Sequence, residues 1–182
     1  NALKNKKHVV TANKALIAKY GDELSKIAEK NKVNLEFEAS VCGGVPVIRS
    51  LKEGLIANKI SKIYGIFNGT SNYILSSMDK QNKGFDEVLS NAKKLGYAES
   101  NPSADLNGDD VYSKLKILSS LCFNSFLNNN IYVEGIKGID KTDIDNANKL
   151  GFKIKLLGFA EIINNRIYQR VHPTLIKKDS YV

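Results

Sequence analysis

The chain has no tryptophan, a single methionine and only two cysteines among its 182 residues. Two thiols in a chain of this length do not make a disulfide framework, which favours a reduced, cytoplasmic protein. No apolar run reaches the roughly 18–20 residues of a membrane helix, and residues 1–10 begin polar and basic without the apolar core of a signal peptide. Because the chain starts at Asn1 and its one methionine is Met78, we expect a fragment or a processed chain.

Arginine is also scarce, and this bears on the net charge of +8. Only three of the 27 basic residues are arginine, namely Arg49, Arg166 and Arg170. Arginine is the residue preferred for bidentate contacts to phosphates and bases, and the lysines are scattered apart from a small group at residues 4–7. The composition therefore argues against a nucleic-acid partner, with a basic RNA-binding domain as the weaker alternative.

The hydrophobic pattern alternates between strand-like and helix-like segments. Strands are predicted at residues 8–12, 35–41, 60–67, 131–139, 152–163 and 166–176, and helices at residues 14–30, 46–57, 70–80, 85–95, 109–123 and 140–151. Asn13 is placed to cap the first helix and Thr70 or Ser71 the third, residues 98–108 read as an ordered loop, and Asn164-Asn165 fits a two-residue hairpin turn. The pattern predicts an α+β (mixed α/β) fold with an open mixed sheet covered on one face by helices.

Glycine-rich nucleotide motifs are absent from the chain. Neither G-x-G-x-x-G nor a P-loop occurs anywhere in the sequence, and these are the motifs that bring backbone close to a pyrophosphate or a triphosphate. The chain by itself therefore shows no dinucleotide site.

The most informative segment is residues 92–114, AKKLGYAESNPSADLNGDDVYSK. It gathers Glu99, Asp105, Asp109 and Asp110 in a chain that is otherwise basic. One interpretation is a pocket that grips a cationic ammonium group, and the other is a solvated loop before a helix N-terminus, where acids are favoured. Spacing alone leaves both open.

The helix that follows adds a reason to favour a pocket. Asp110 and Lys114 share a stripe with the apolar Ile117 or Leu118 and with Leu121, so the two charges lie at the N-terminal end of a stripe that becomes apolar. A lysine at the edge of a core keeps its charge only if partners are supplied, and its pKa becomes tunable. That is the requirement for a lysine in general acid–base catalysis.

The same segment resembles the homoserine dehydrogenase family. The resemblance lies in the ordered run Ala92, Gly96-Tyr97-Ala98, Asn101-Pro102, Asp105-Leu106, Gly108, Asp110 and Lys114. Four further segments are similar to the family in the same order: VVTANKALI (residues 9–17), EASVCGGVPVIRSL (38–51), GIFNGTSNYIL (65–75) and RVHPTLI (170–176). The resemblance covers nearly the whole chain.

The resemblance implies an NAD(P)-dependent oxidoreductase that interconverts L-aspartate 4-semialdehyde and L-homoserine. Lys114 matches the family's proposed proton donor, a role that suits a cation beside a developing oxyanion. The implied substrate-binding residues are Glu99, Asp105, Asp110 and Thr70. Lys14 matches a lysine on the nicotinamide side that can also touch the reacting oxygen, and Gly96 matches a position where backbone approaches the cofactor.

Residues 38–45 resemble the family's monovalent-cation loop. The implied ligands are the Glu38 carboxylate and the main-chain carbonyls of Val41, Gly43 and Val45, with sodium as the expected ion. Oxygen ligands suit a hard cation, and Gly43-Gly44 would let the carbonyls converge. A plain strand-to-helix turn is the alternative.

The resemblance also predicts how the chain is organised. Residues 1–30 are expected to be the end of a nucleotide-binding (Rossmann) domain, and residues 31–182 a substrate-binding and dimerisation domain, in a homodimer with a small-molecule substrate and no membrane or nucleic-acid partner. Most of the cofactor domain would be missing, so the isolated chain is expected to be inactive and the choice of NADP or NAD stays open. The rivals are a dehydrogenase for another amino-acid semialdehyde and a binding module without catalysis.

Overall fold

The computed structural model describes residues 1–123 and 131–180. By their contacts these residues form two compact units. The first unit takes residues 1–63 and 113–123, and the second takes residues 64–112 and 131–180. These bounds differ from the predicted domain boundary between residues 30 and 31. That boundary stays a prediction.

The first unit begins with a parallel strand–helix–strand crossover. β1 (Val9–Val10) pairs in parallel with β2 (Leu35–Glu36), and α1 (Lys14–Lys30) connects them. The Asn13 side chain accepts a hydrogen bond of 3.0 Å from the Leu16 amide, so the predicted cap is confirmed. Parallel strands joined by a helix are the building unit of dinucleotide-binding folds, which agrees with the expected Rossmann remnant.

The strand predicted at residues 35–41 is too long. β2 ends at Glu36, and a 3-10 turn follows at Glu38–Ser40. The turn forms because the Glu38 carboxylate accepts hydrogen bonds from the amides of Ile48 and Arg49, at 3.0 and 2.8 Å. Those residues begin the next helix, α2 (Val47–Arg49), which continues as a π-helical turn at Ser50–Gly54.

A four-stranded sheet of order β3-β5-β6-β4 dominates the second unit. Its strands are β3 (Lys62–Gly65), β4 (Tyr132–Val133), β5 (Phe152–Ile163) and β6 (Arg166–Lys177). The long β5–β6 pair is antiparallel, in register from Phe152 opposite Lys177 to Ile163 opposite Arg166, whereas β4 runs parallel to β6. Asn164 and Asn165 have φ values of 48° and 62°, so the predicted hairpin turn is confirmed.

Helices cover one face of this sheet, as expected. They are α3 (Gly69–Gln81), α4 (Phe85–Lys94), α5 (Ser103–Asn107) and α7 (Lys141–Lys149), while α6 (Asp109–Phe123) starts in the second unit and continues into the first. Leu156 and Ala160 alternate on the covered face of β5, and both are buried along with Ile74, Leu75 and Met78 of α3. The apolar side chains of one sheet face and one helix layer therefore make the core of this unit.

Three local predictions in the second unit are wrong. The strand expected at residues 131–139 shrinks to Tyr132–Val133, because the Ile136 amide donates to the Leu106 carbonyl at 2.8 Å instead of continuing a strand ladder. The loop expected at residues 98–108 contains α5. Asn68, rather than Thr70 or Ser71, caps α3.

Among residues 1–123 and 131–180, no helix is both long enough and apolar enough to cross a membrane.

Candidate active site

Asn68 is the centre of a buried polar cluster in the second unit. Its Nδ2 group donates to the Asp105 carboxylate at 2.7 Å and to the Asp110 carboxylate at 2.9 Å. Its Oδ1 atom accepts from the amide and the hydroxyl of Ser71, at 2.7 and 2.8 Å. Asn68, Ser71 and Asp110 are buried, with exposed fractions of 5 %, 0 % and 7 %. One amide thus holds two carboxylates side by side.

The turn between α5 and α6 brings the two acids to this amide. Gly108 separates the helices with a φ of +89°, a left-handed conformation that glycine adopts without strain. A Cβ at this position would also lie 3.1 Å from the Val133 side chain. Asp105 on α5 and Asp110 in the first turn of α6 can therefore face Asn68 because the turn between them is tight.

Gly135 holds α5 in place from the other side. An added Cβ here would contact the Leu106 carbonyl and would lie 2.6 Å from the Asn107 Cα atom. The backbone of residue 135 therefore passes directly over the end of α5, and the absence of a side chain permits that approach.

Thr70, Gly96 and Glu99 lie around the helix connection that precedes α5. The Thr70 hydroxyl donates to the Tyr97 carbonyl at 2.9 Å, and the rings of Tyr73 and Tyr97 stack with their centroids 4.2 Å apart. Gly96 adopts a φ of +78° just after α4. Glu99 is exposed and takes no part in the hydrogen bonds of Asn68 among the described residues. The cluster therefore unites Asp105 and Asp110, while Thr70 orders the neighbouring turn.

The two predicted catalytic lysines belong to helices of the first unit. Lys114 lies on α6, one turn beyond Asp110, and is partly buried. Lys14 is the first residue of α1, next to the cap Asn13 and just after β1. The carboxyl end of a parallel strand and the start of the following helix form the usual ligand edge of such a fold, so Lys14 is suitably placed for a cofactor contact.

The predicted ligands of the cation loop are all oxygen atoms, and some of these oxygens already accept hydrogen bonds. Both Glu38 carboxylate oxygens accept backbone hydrogen bonds, as described above, and the Val45 carbonyl accepts from the Val47 amide at 2.8 Å. Positive φ values fall on Cys42 (52°) and Gly44 (86°) and not on Gly43. Carboxylates and carbonyls keep further lone pairs, so the loop fits a hard cation chemically.

A separate cleft of about 510 Å³ lies in the first unit. Its lining includes Phe37, Leu51, Ile117 and Cys122 and none of the predicted site residues. Burial raises the pKa of the Cys122 thiol to about 11. The thiol stays protonated at neutral pH, so Cys122 lacks the lowered pKa of a reactive cysteine.

Sequence reasoning missed Asn68 as a site residue. A signal for its capping role was present, because asparagine is favoured at helix N-caps and Gly69-Thr70-Ser71 follows it. Its hydrogen bonds to Asp105 and Asp110, 37 and 42 residues away, could not be predicted, because they form only when α3 packs against α5 and the first turn of α6.

Comparison with known proteins places the whole chain. Residues 46–182 match the family model described as homoserine dehydrogenase, and residues 1–38 match the model of its NAD-binding domain. The homoserine dehydrogenase of Neisseria gonorrhoeae is 49 % identical over 96 % of this chain and 40 % of its own length, and that of Synechocystis is 48 % identical over 98 % and 42 %. The chain thus spans about two fifths of these relatives.

Solved structures agree with the sequence matches. The crystal structure of a homoserine dehydrogenase from Thiobacillus denitrificans superimposes with a TM-score of 0.95 at 48 % identity, covering 98 % of this chain and 42 % of that one. A hyperthermophilic archaeal homoserine dehydrogenase in complex with NADPH has a TM-score of 0.82 at 30 % identity, covering 99 % and 52 %. The chain belongs to the homoserine dehydrogenase family.

Proposed function

We propose that this chain supplies the substrate-binding and proton-transfer residues of an enzyme that interconverts L-aspartate 4-semialdehyde and L-homoserine with NADP or NAD. The observation that carries the proposal is the pair of carboxylates, Asp105 and Asp110, held together by Asn68. Paired, partly buried carboxylates favour a cationic ligand. The amino-acid substrate has such a group, its α-ammonium.

Substrate binding starts from this pair. Asp110 is buried and Asp105 partly buried, so a cation that reaches them exchanges water for two charged acceptors. Glu99, at the start of the same segment, provides a third acid for the ammonium or the hydroxyl group. Thr70 lines the pocket through the turn that it forms with Tyr97.

Proton transfer falls to Lys114. The substrate carbonyl oxygen becomes an alkoxide as the carbon is reduced, and a lysine cation can both stabilise the negative charge and donate the proton. In the reverse direction the neutral amine accepts the proton from the homoserine hydroxyl. When bound, the nicotinamide supplies or accepts the hydride.

The remaining predicted residues serve the cofactor and the loop. Lys14, at the ligand edge of the strand–helix–strand unit, would hold the nicotinamide side and the reacting oxygen, and Gly96 would let the cofactor approach the backbone. The oxygens of Glu38, Val41, Gly43 and Val45 would hold a monovalent cation, with sodium as the expected ion. Residues 1–30 close the nucleotide-binding domain, residues 31–182 form the substrate domain, and two such domains form a homodimer.

The deciding experiment measures homoserine oxidation by the full-length protein that contains these residues. Lys114→Met should lower kcat/KM at least ~10²-fold, the usual contribution of a general acid or base. Lys114→Arg should be similarly impaired, because arginine keeps the charge but does not release its proton. Lys116→Met, two residues further along α6, is the matched control and should stay near the wild-type rate.

Two outcomes would refute the proposal. Wild-type protein that turns over another amino-acid semialdehyde faster than aspartate semialdehyde would give the enzyme a different substrate. Equal kcat/KM values for Lys114→Met and Lys116→Met would show that Lys114 does not transfer the proton.

A further inference from the structure

We infer that Asn68 is a positioning residue, whose side-chain amide sets the spacing and direction of the Asp105 and Asp110 carboxylates that receive the substrate ammonium. The inference rests on the proposed function for the identity of the ligand. It goes beyond that function because it assigns a role to Asn68, whose side chain forms hydrogen bonds with the two acids and with Ser71.

The orientation of the Asn68 amide follows from its neighbours. The Ser71 backbone amide, 2.7 Å away, can only donate a hydrogen bond, so the atom facing it must be the carbonyl oxygen. The NH₂ group must then face the carboxylates, which can only accept when ionised. All four contacts agree with this one orientation. In a flipped amide, the NH₂ group would face the Ser71 N–H donor, and the carbonyl oxygen would face the two carboxylates, which are acceptors.

The two acids depend on this donor. Each has one oxygen within 2.9 Å of the same nitrogen, so these two carboxylate oxygens lie at most the combined length of two hydrogen bonds apart. Like charges at this separation repel, and burial increases the cost. The NH₂ group offsets the cost with one hydrogen to each acid, and each carboxylate keeps other lone pairs for a ligand.

Asn68 has a second role that can be separated from the first. Its Oδ1 atom caps α3 by accepting from Ser71, and aspartate is as good a cap as asparagine. Asn68→Asp therefore keeps the cap, removes both donors and adds a third carboxylate. Asn68→Ser also keeps a capping oxygen but adds no charge and is too short to hold both acids.

Asn148 offers a matched control in the same unit. Its Nδ2 group donates to the Asp79 carboxylate at 2.6 Å, so Asn148→Asp also exchanges an amide–carboxylate bond for repulsion. Asp79 lies eleven residues after Asn68, about 16 Å along the axis of α3. Asn148→Asp should therefore lower thermal stability without altering the hydrogen bonds of Asp105 and Asp110.

The test compares steady-state constants of the full-length wild type and variants. Asn68→Asp should raise KM for homoserine at least tenfold and leave KM for the nucleotide within twofold. Asn68→Ser should raise KM for homoserine by a smaller factor and should also leave KM for the nucleotide within twofold. Asn148→Asp should keep both KM values within twofold of wild type. Homoserine KM values within twofold of wild type for both Asn68 variants would overturn the inference.

A spectroscopic measurement separates this inference from the proposed function. With ¹⁵N-labelled asparagine, the two NH₂ protons of Asn68 should resonate downfield of those of exposed asparagines. Asp105→Asn should move one of these two resonances back towards the position of exposed asparagines. Wild-type protein without homoserine turnover would end the proposed function, while this NMR pattern would still support the positioning role. Asn68 signals at the positions of exposed asparagines would overturn it whatever the activity.

Discussion

Replacing Gly135 by alanine tests whether the close approach of this residue to α5 supports the acidic cluster. The added Cβ would contact the Leu106 carbonyl and lie 2.6 and 2.7 Å from the Cα and carbonyl carbon of Asn107. All three are backbone atoms, so no side-chain rotation relieves the overlap. Either the end of α5 or the segment around residue 135 must move.

The expected cost combines two effects. Overpacking of this kind costs about 1–3 kcal/mol, and backbone contacts favour the upper end of that range. A shift also weakens the 2.8 Å hydrogen bond from Ile136 to Leu106, worth about 1 kcal/mol. A total of about 3–4 kcal/mol would lower Tm by about 6–16 °C in a protein of 150–250 residues, and by less in the longer full-length protein.

The assay is thermal unfolding together with the KM for homoserine in the full-length protein. Because Asp105 lies on α5, a displaced α5 should raise this KM as Tm falls. Gly138→Ala is the control, since a Cβ there meets nothing within 4 Å, and it should leave both values nearly unchanged. A Tm for Gly135→Ala within 2 °C of the Gly138→Ala value would refute the steric reasoning. If Gly135→Ala lowers Tm but leaves the KM for homoserine unchanged, the proposed link between the position of α5 and Asp105 would be refuted.

Two further predictions concern the first unit. Glu38→Gln should lower the free energy of unfolding by about 1–2 kcal/mol, because an amide can accept only one of the two backbone hydrogen bonds from Ile48 and Arg49. Glu53→Gln, which breaks an ion pair whose carboxylate side chain is 65 % exposed, should cost much less, because exposed ion pairs contribute little to stability; equal losses in urea titrations would contradict this. Cys122, whose pKa is raised from 9.0 to about 11, should react with iodoacetamide at pH 8 about 10²-fold more slowly than an ordinary thiol and speed up towards pH 11. Labelling at an ordinary rate would show that the thiol is not buried.

Long periodic segments could be predicted well from the sequence. α1, α4 and α6 start within a residue of their predicted positions, and the β5–β6 hairpin turns at the expected Asn164-Asn165. In these segments the apolar period, the caps and the turn residues all favour the same structure. The motif from Ala92 to Lys114 likewise indicated the family that the comparisons confirm.

Short elements were predicted poorly because distant contacts decide them. The predicted strand at residues 35–41 stops after two residues where the Glu38 carboxylate binds the start of α2. The predicted strand at residues 131–139 stops where Gly135 and Ile136 meet α5. Local propensity depends on residues that are neighbours in the chain, so it cannot predict either of these distant contacts.

The apolar periods and turn residues were therefore enough to predict the mixed fold. The resemblance of the motif from Ala92 to Lys114 was enough to indicate the family, and it also named the acids proposed for the site. Only the tertiary structure decided that Asp105 and Asp110 share one buried amide, and that Asn68 rather than Thr70 or Ser71 begins α3. The physical reason is that a helical period is set by neighbours three or four residues apart, whereas these hydrogen bonds join residues 37 and 42 positions apart and exist only after the helices have packed.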